Sequence, residues 1–285
     1  MVALHRAQVV RIAVAVAALA AAVGGEARVG RALAEGGVQR AAFSAAARPA
    51  ARPAAHAVVA RTAAHTVARV TGKTGAYRSE LADVPQRQLL LGLPAALGAD
   101  GTAIEVGYQD APVTLTVFED FRCSTTRGFE EAQGPTLAAL AADHRVLVRY
   151  VLESSLDQRL PGPGALLATN AARAALAHGG FPLYHALLFA NQPAEDEDGF
   201  TERRLLDLAS AVPELRGAAF DGEVRSLYYR PWVAQAQQAY DNAGVHFGTP
   251  SMLLNGTEVD LGAHPELLTQ PAALQSFVRA ASERG

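Results

Sequence analysis

The sequence predicts an α/β fold in which a strand, a helix and a second strand are followed by a long helical insertion, a hairpin and a closing helix. Three observations predict it. The run "APVTLTVFED" at 111–120 is rich in β-branched residues and apolar on both alternating faces, the pattern of a central strand covered on each side. "RVLVRYVLE" at 145–153 repeats that pattern after a stretch of helical spacing, and a strand, helix, strand order implies parallel pairing with a right-handed crossover. "TPSMLLNGTEVDL" at 249–261 sets Asn255-Gly256 between two apolar runs, a strong hairpin signal.

In chain order, the amino terminus comes first. Arg6 and Arg11 precede "IAVAVAALAAAV" at 12–23 and the small residues "GGEA", and the uncharged gap from Arg11 to Glu26 is shorter than a bilayer span requires. Residues 1–27 are therefore expected to be a secretory signal peptide, cleaved near Gly25 or Ala27, with a retained membrane anchor as the alternative. Either implies an extracytoplasmic protein, secreted or associated with the cell membrane through this segment. From 28 to 85 the chain is Ala and Arg with scattered Gly and Pro and few large apolar residues, too little to offset the entropy of ordering, so a disordered low-complexity linker is expected.

Charge follows the same division. Residues 1–85 carry ten Arg and one Lys against four acids, whereas 86–285 carry 14 Arg against 24 acids. The basic residues stand singly among alanines, without a dense run or interleaved aromatics, which argues against nucleic-acid binding.

The folded body is expected from 86 to 285, and half of the whole chain is apolar, enough for a sizeable core. "RQLLLGLPAALGADGTAIEVG" gives two short apolar runs about a Pro- and Gly-containing turn, read as a strand pair ahead of the main sheet. After the first main strand, "TTRGFEEAQGPTLAALAADH" has helical spacing, with Gly134-Pro135 expected to kink or divide the helix. Beyond the second strand, 164–178, 181–192, 201–212 and 228–243 show helical spacing, Thr201 is a credible N-cap, and the helical insertion spans about 154–247. Trp232, Tyr228 and Tyr229 are read as its core. The acidic "AEDEDGF" between these helices reads as a solvated turn, since its carboxylates lack the spacing of a calcium loop. An amphipathic helix from about 265 to 282 closes the chain.

Cys123 is the one cysteine, and "DFRCSTT" places it where the first main strand meets its helix. Unpaired backbone N–H groups and the helix dipole favour a thiolate there. Glu119 and Asp120 stand close enough to tune it, although a solvated strand end is the simpler reading for Asp120. His246 lies four residues before Pro250, and a loop histidine near a thiolate could donate a proton, but an ordinary surface histidine is the simpler reading. His178, His185 and the carboxylates show no ligand spacing, so neither a metal nor any cofactor is expected.

The order of elements is that of the thioredoxin fold with an inserted helical domain. On "GADGTAIEVG", "DAPVTLTVFEDFRC", "FPLYHALLFANQP" and "GTPSMLLNG" the chain resembles DsbA-family thioredoxin-like proteins of the actinobacterial type. The resemblance implies that Cys123 is the nucleophile and that Thr249-Pro250 is the family's cis dipeptide, lying beside the nucleophile and leaving the backbone of Thr249 to pair with an extended substrate. Thr126 departs from the pattern, standing where the family has its second cysteine, and Ser124 replaces a common proline. Threonine cannot resolve a mixed disulfide. Its hydroxyl, three residues on, can donate to the thiolate and leave a reactive monothiol. Two functions follow: an exported monothiol oxidoreductase acting on protein or low-molecular-weight thiol disulfides, or a redox-inactive peptide-binding module.

Overall fold

A computed structural model of the chain describes residues 81–284, so the expected leader at 1–27 and the linker up to residue 80 lie outside the described residues. A short helix α1 (Arg87–Gly92) leads into strands β1 (Ala95–Leu97) and β2 (Ile104–Val106), which form an antiparallel pair. The Leu-rich run at the start is thus helical rather than extended. Leu90 faces inward while Leu89 and Leu91 are exposed, the one-sided burial of a helix turn.

Strand β3 (Val113–Asp120), helix α2 (Ser124–Ala142) and strand β4 (Val146–Glu153) form the expected crossover, with β3 and β4 parallel from Val113↔Val146 to Asp120↔Glu153. Both strands are almost wholly buried, in keeping with their apolar residues on both faces, and the burial extends to the acids at their ends, Glu119, Asp120 and Glu153. Helix α2 runs through Pro135 undivided. The carbonyl that Pro135 leaves without an intrahelical partner belongs to Glu131, on the exposed side, where solvent serves it.

A 3₁₀ turn at Ser155–Gln158 opens the inserted helices α3 (Gly164–Ala177), α4 (Phe181–Ala190), α5 (Glu202–Ala209), α6 (Ala218–Ser226) and α7 (Arg230–Asn242). The Thr201 side chain accepts from the Arg204 N–H, the cap that the sequence suggests for α5. Helix α6 is one the sequence pattern does not reveal: it buries only Phe220 and Val224 and stops at Leu227, in the left-handed region at φ 53°. Trp232 is buried and donates from Nε1 to the Gly101 carbonyl, whereas Tyr228, expected in the core, is 65% exposed.

Strands β5 (Ser251–Leu254) and β6 (Thr257–Glu258) make the hairpin, turned by Asn255 and Gly256 at φ 47° and 82°. The closing helix is two helices, α8 (Glu266–Thr269) and α9 (Pro271–Ser282), because Gln270 before Pro271 is extended. The sheet order is β1-β2-β4-β3-β5-β6, with β3 antiparallel to β5. Leu115 and Val117 join the main core, while Phe118, on the opposite face of β3, packs with Val151 and with Tyr240 of α7. This is the thioredoxin fold with a helical insertion between β4 and β5. Among the described residues no helix is long and apolar enough to cross a membrane.

Candidate functional site

Because β3 ends in the middle of the sheet, the turn after it sets Cys123 at the mouth of α2, as the residue capping that helix. Its N–H is held by the Asp120 carbonyl at 3.0 Å, and its thiol is half-buried. The turn is pinned from the insertion: Gln192 Nε2 donates to the Phe121 carbonyl at 2.7 Å and to the Cys123 carbonyl at 3.0 Å. Beneath it the Arg122 guanidinium, 2% exposed, pairs with Asp157 at 2.9 Å and donates to the Gly162 carbonyl at 3.1 Å. Asp157 also accepts from the Ala165 and Leu166 N–H groups at the start of α3. A buried ion pair thus locks the thiol-bearing turn to the insertion.

From the other side comes the segment before β5. The Thr249–Pro250 peptide bond is cis, and Cys123 Sγ donates to the Thr249 carbonyl at 3.1 Å. Ser251, wholly buried, donates its hydroxyl to the Gly248 carbonyl at 2.6 Å and so holds the turn leading into this bond. The structure therefore brings Cys123, Thr249 and Pro250 together. Thr126 is on the first turn of α2 and fully buried, but its Oγ1 has no hydrogen-bond partner among the described residues, so the bond to sulfur expected of it is not made while the thiol donates to Thr249.

The charged neighbours differ from the sequence reading. Asp120 is not solvated: it is fully buried, its two oxygens accepting from the N–H groups of Arg122 and Leu156. Burial, aided by the neighbouring Glu153, pushes its carboxyl well above the ordinary range. His246 is exposed and pairs with Glu258 at 2.8 Å. Glu195, in the loop read as a solvated turn, accepts from the Ser124 N–H at 2.9 Å, and the Ser124 hydroxyl and N–H hold its carboxyl below the ordinary range. A carboxylate therefore occupies the helix mouth beside the thiol. Gln192 and Asp157 carry no periodicity that would single them out, and Glu195 is one of four acids in a row of seven residues.

Below α2 a second group gathers: Glu119 on β3, Glu130 on α2 and His185 on α4, all buried, with His185 Nε2 2.7 Å from Glu119 Oε2. Burial raises Glu119 to about 8, raises Glu130, and lowers His185. These shifts make the short contact a carboxyl O–H donating to a neutral imidazole rather than an ion pair.

Comparison with known proteins agrees with this fold. A family model described as thioredoxin matches residues 99–271. Among solved structures, the reduced disulfide bond oxidoreductase DsbG from Mycobacterium tuberculosis is 25% identical with a TM-score of 0.55, over 65% of this chain and 89% of that one. The oxidised DsbA of the same organism is 24% identical with a TM-score of 0.54, over 63% and 92%, and the oxidised BdbD of Bacillus subtilis 18% identical with 0.53, over 63% and 92%. The last two speak to the fold. No curated protein sequence matches.

Proposed function

Because this chain belongs to the thioredoxin family, with a DsbA-like thiol–disulfide oxidoreductase fold, we propose that it is an exported monothiol oxidoreductase working through Cys123. The observation that carries the reading is the meeting of Cys123 Sγ with the Thr249 carbonyl beside a cis peptide bond, at the mouth of a 19-residue helix. An extended substrate pairs with the backbone of Thr249 next to Pro250 and presents its disulfide to Cys123.

The chemistry is exchange. The Cys123 thiolate attacks one substrate sulfur, forming a mixed disulfide and releasing the other sulfur as a thiolate that takes up a proton. With Thr126 in place of a second thiol, nothing within the chain resolves this adduct. An external thiol, of a protein or a small molecule, attacks the substrate sulfur, forms the new disulfide and releases Cys123. No net oxidation occurs, so the protein rearranges or relays disulfides and needs no cofactor. Once Sγ is deprotonated it no longer donates to Thr249, and the free Thr126 hydroxyl becomes the donor that stabilises it. Export rests on the segment 1–27, and fractionation of cells expressing the chain with and without it checks this part.

The test of the chemistry is mass analysis of the full chain after incubation with a disulfide-containing peptide. Adducts on Cys123 that accumulate and disappear on adding a small thiol are the expected result. A protein that forms none while still binding the reduced peptide would be a peptide-binding module instead.

A further inference from the structure

Three side chains from three elements converge beneath α2, at a distance from the reactive turn that leaves Cys123 out of the group. One ligand atom each from Glu119, Glu130 and His185 lies within 4.8 Å of the others, and all three residues are buried. Buried polar atoms in folded proteins are almost always paired. Here Glu119 Oε1, Glu130 Oε1 and Gln86 Oε1 are buried and accept from no N–H or hydroxyl donor among the described residues, the two glutamate side chains being hydrogen-bonded only to each other and, through Glu119 Oε2, to His185.

Glu130 and His185 of the group, though not Glu119, also border a cavity of about 20 Å³, in which Gln86 and Tyr150 are the other polar residues of a mostly apolar lining. Its volume exceeds the roughly 10–15 Å³ needed by one water-sized species. Helix α2 keeps the space open with Gly134: a Cβ there would stand 3.0 Å from Glu130 Oε2. A wider cleft of about 130 Å³, which shares Gln86 and Glu130 with the cavity and reaches Asp83 and Glu131, supplies a way in from the surface.

We propose that Glu119, Glu130 and His185 form a buried site for one zinc-like divalent cation. The donor set decides the class. An imidazole with two carboxylates suits zinc and its neighbours, whereas calcium and magnesium take oxygen alone. Two carboxylates and a neutral imidazole carry two negative charges, which a divalent cation neutralises in the core, where unpaired charge is costly. The unpartnered oxygen of Glu119 and that of Glu130 become ligands, and Gln86 Oε1 or a water in the cavity completes four-coordination. Both carboxyls bind in ionised form, so the protons held on Glu119 and Glu130 leave to solvent as the metal enters. The ion ties β3, α2 and α4 together. Its ligands are separated by 11 and 55 positions, which is why no spacing in the sequence announces them.

The experiment uses the full chain, stripped with a chelator, desalted, and titrated with zinc chloride by calorimetry, with metal content read by mass spectrometry. About one zinc per chain is expected, retained after desalting and unchanged in Cys123→Ser. Glu130→Gln and His185→Gln are expected to weaken zinc binding at least roughly ten-fold. Zinc X-ray absorption of the unaltered chain is expected to show only nitrogen and oxygen ligands, including an imidazole, and this decides the matter even if a variant fails to fold. A chain that retains no zinc, a sulfur ligand, or binding undiminished in folded Glu130→Gln overturns the site. None of these readings depends on thiol exchange at Cys123.

Discussion

The Glu195 carboxylate accepts a hydrogen bond from the Ser124 backbone N–H at 2.9 Å, one residue beyond Cys123. The donors at the mouth of α2 are the groups that would otherwise favour negative charge on sulfur, and a carboxylate already uses one of them. Glu195→Gln keeps an acceptor and removes the charge. Alkylation of Cys123 by iodoacetamide at neutral pH is expected to speed up by roughly two- to five-fold. An unchanged rate would mean that the carboxylate has no influence on the sulfur.

Thr126 is expected to show two separable effects. Its buried Oγ1 has no partner, so Thr126→Val should raise stability in urea by about 1 kcal/mol. The same change should slow formation of mixed disulfides by roughly ten-fold, because a donor to the thiolate is lost. Stability gained with no loss of rate would leave Thr126 a passive filler.

Replacing Thr126 with cysteine places a second thiol three residues on, on the first turn of α2. With oxidised glutathione supplied as the oxidant, refolding of a reduced disulfide protein should then be catalysed by Thr126→Cys and not by the unaltered chain. If the variant shows no gain, more than one position separates this site from a dithiol enzyme.

Asp157 is the counter-ion of a guanidinium that is 2% exposed. Asp157→Ala leaves that charge buried and also uncaps α3, so a loss of about 3 kcal/mol is expected in denaturant unfolding. A loss below about 1 kcal/mol would show that the carbonyls of Gly162 and Glu195 suffice for Arg122.

The register places Asp120 opposite Glu153, and burial raises both carboxyls. A raised carboxyl keeps in the folded state a proton that the unfolded chain surrenders near pH 4, so its contribution is complete below that pH and is lost as pH rises. Stability should therefore fall from about pH 4.5 upward. Glu153→Gln, which retains an acceptor for the Ser155 N–H, should make that decline shallower by at most about 1.4 kcal/mol per pH unit. Parallel pH profiles for the two proteins would refute the assignment.

The strands and the hairpin could be read from the sequence because their burial is uniform along the chain: β3 and β4 are apolar on both faces, and Asn255-Gly256 demands positive φ. The place of Cys123 at a strand-to-helix junction was legible for the same reason. What surrounds it was not. Gln192, Asp157 and Glu195 reach the site from the insertion, and nothing in local periodicity records which polar side chains a distant segment will accept. Asp120 misled because an acid at a strand end is ordinarily hydrated, whereas here two backbone N–H groups substitute for water. The run before β1 misled because alternation and helical spacing cannot be told apart over six residues.

The contact between Cys123 and Thr249 joins residues 126 positions apart. On the ribosome, at roughly 5–20 residues per second, the thiol emerges about 6–25 s before its acceptor has been made. Throughout that interval Cys123 is an ordinary cysteine on a nascent chain, without the carbonyl that later accepts its hydrogen bond, and the whole insertion must be synthesised before the two meet. The surroundings of this thiol are thus acquired late in the life of each molecule, and a chain truncated anywhere before Thr249 carries the thiol without the carbonyl it meets in the folded protein.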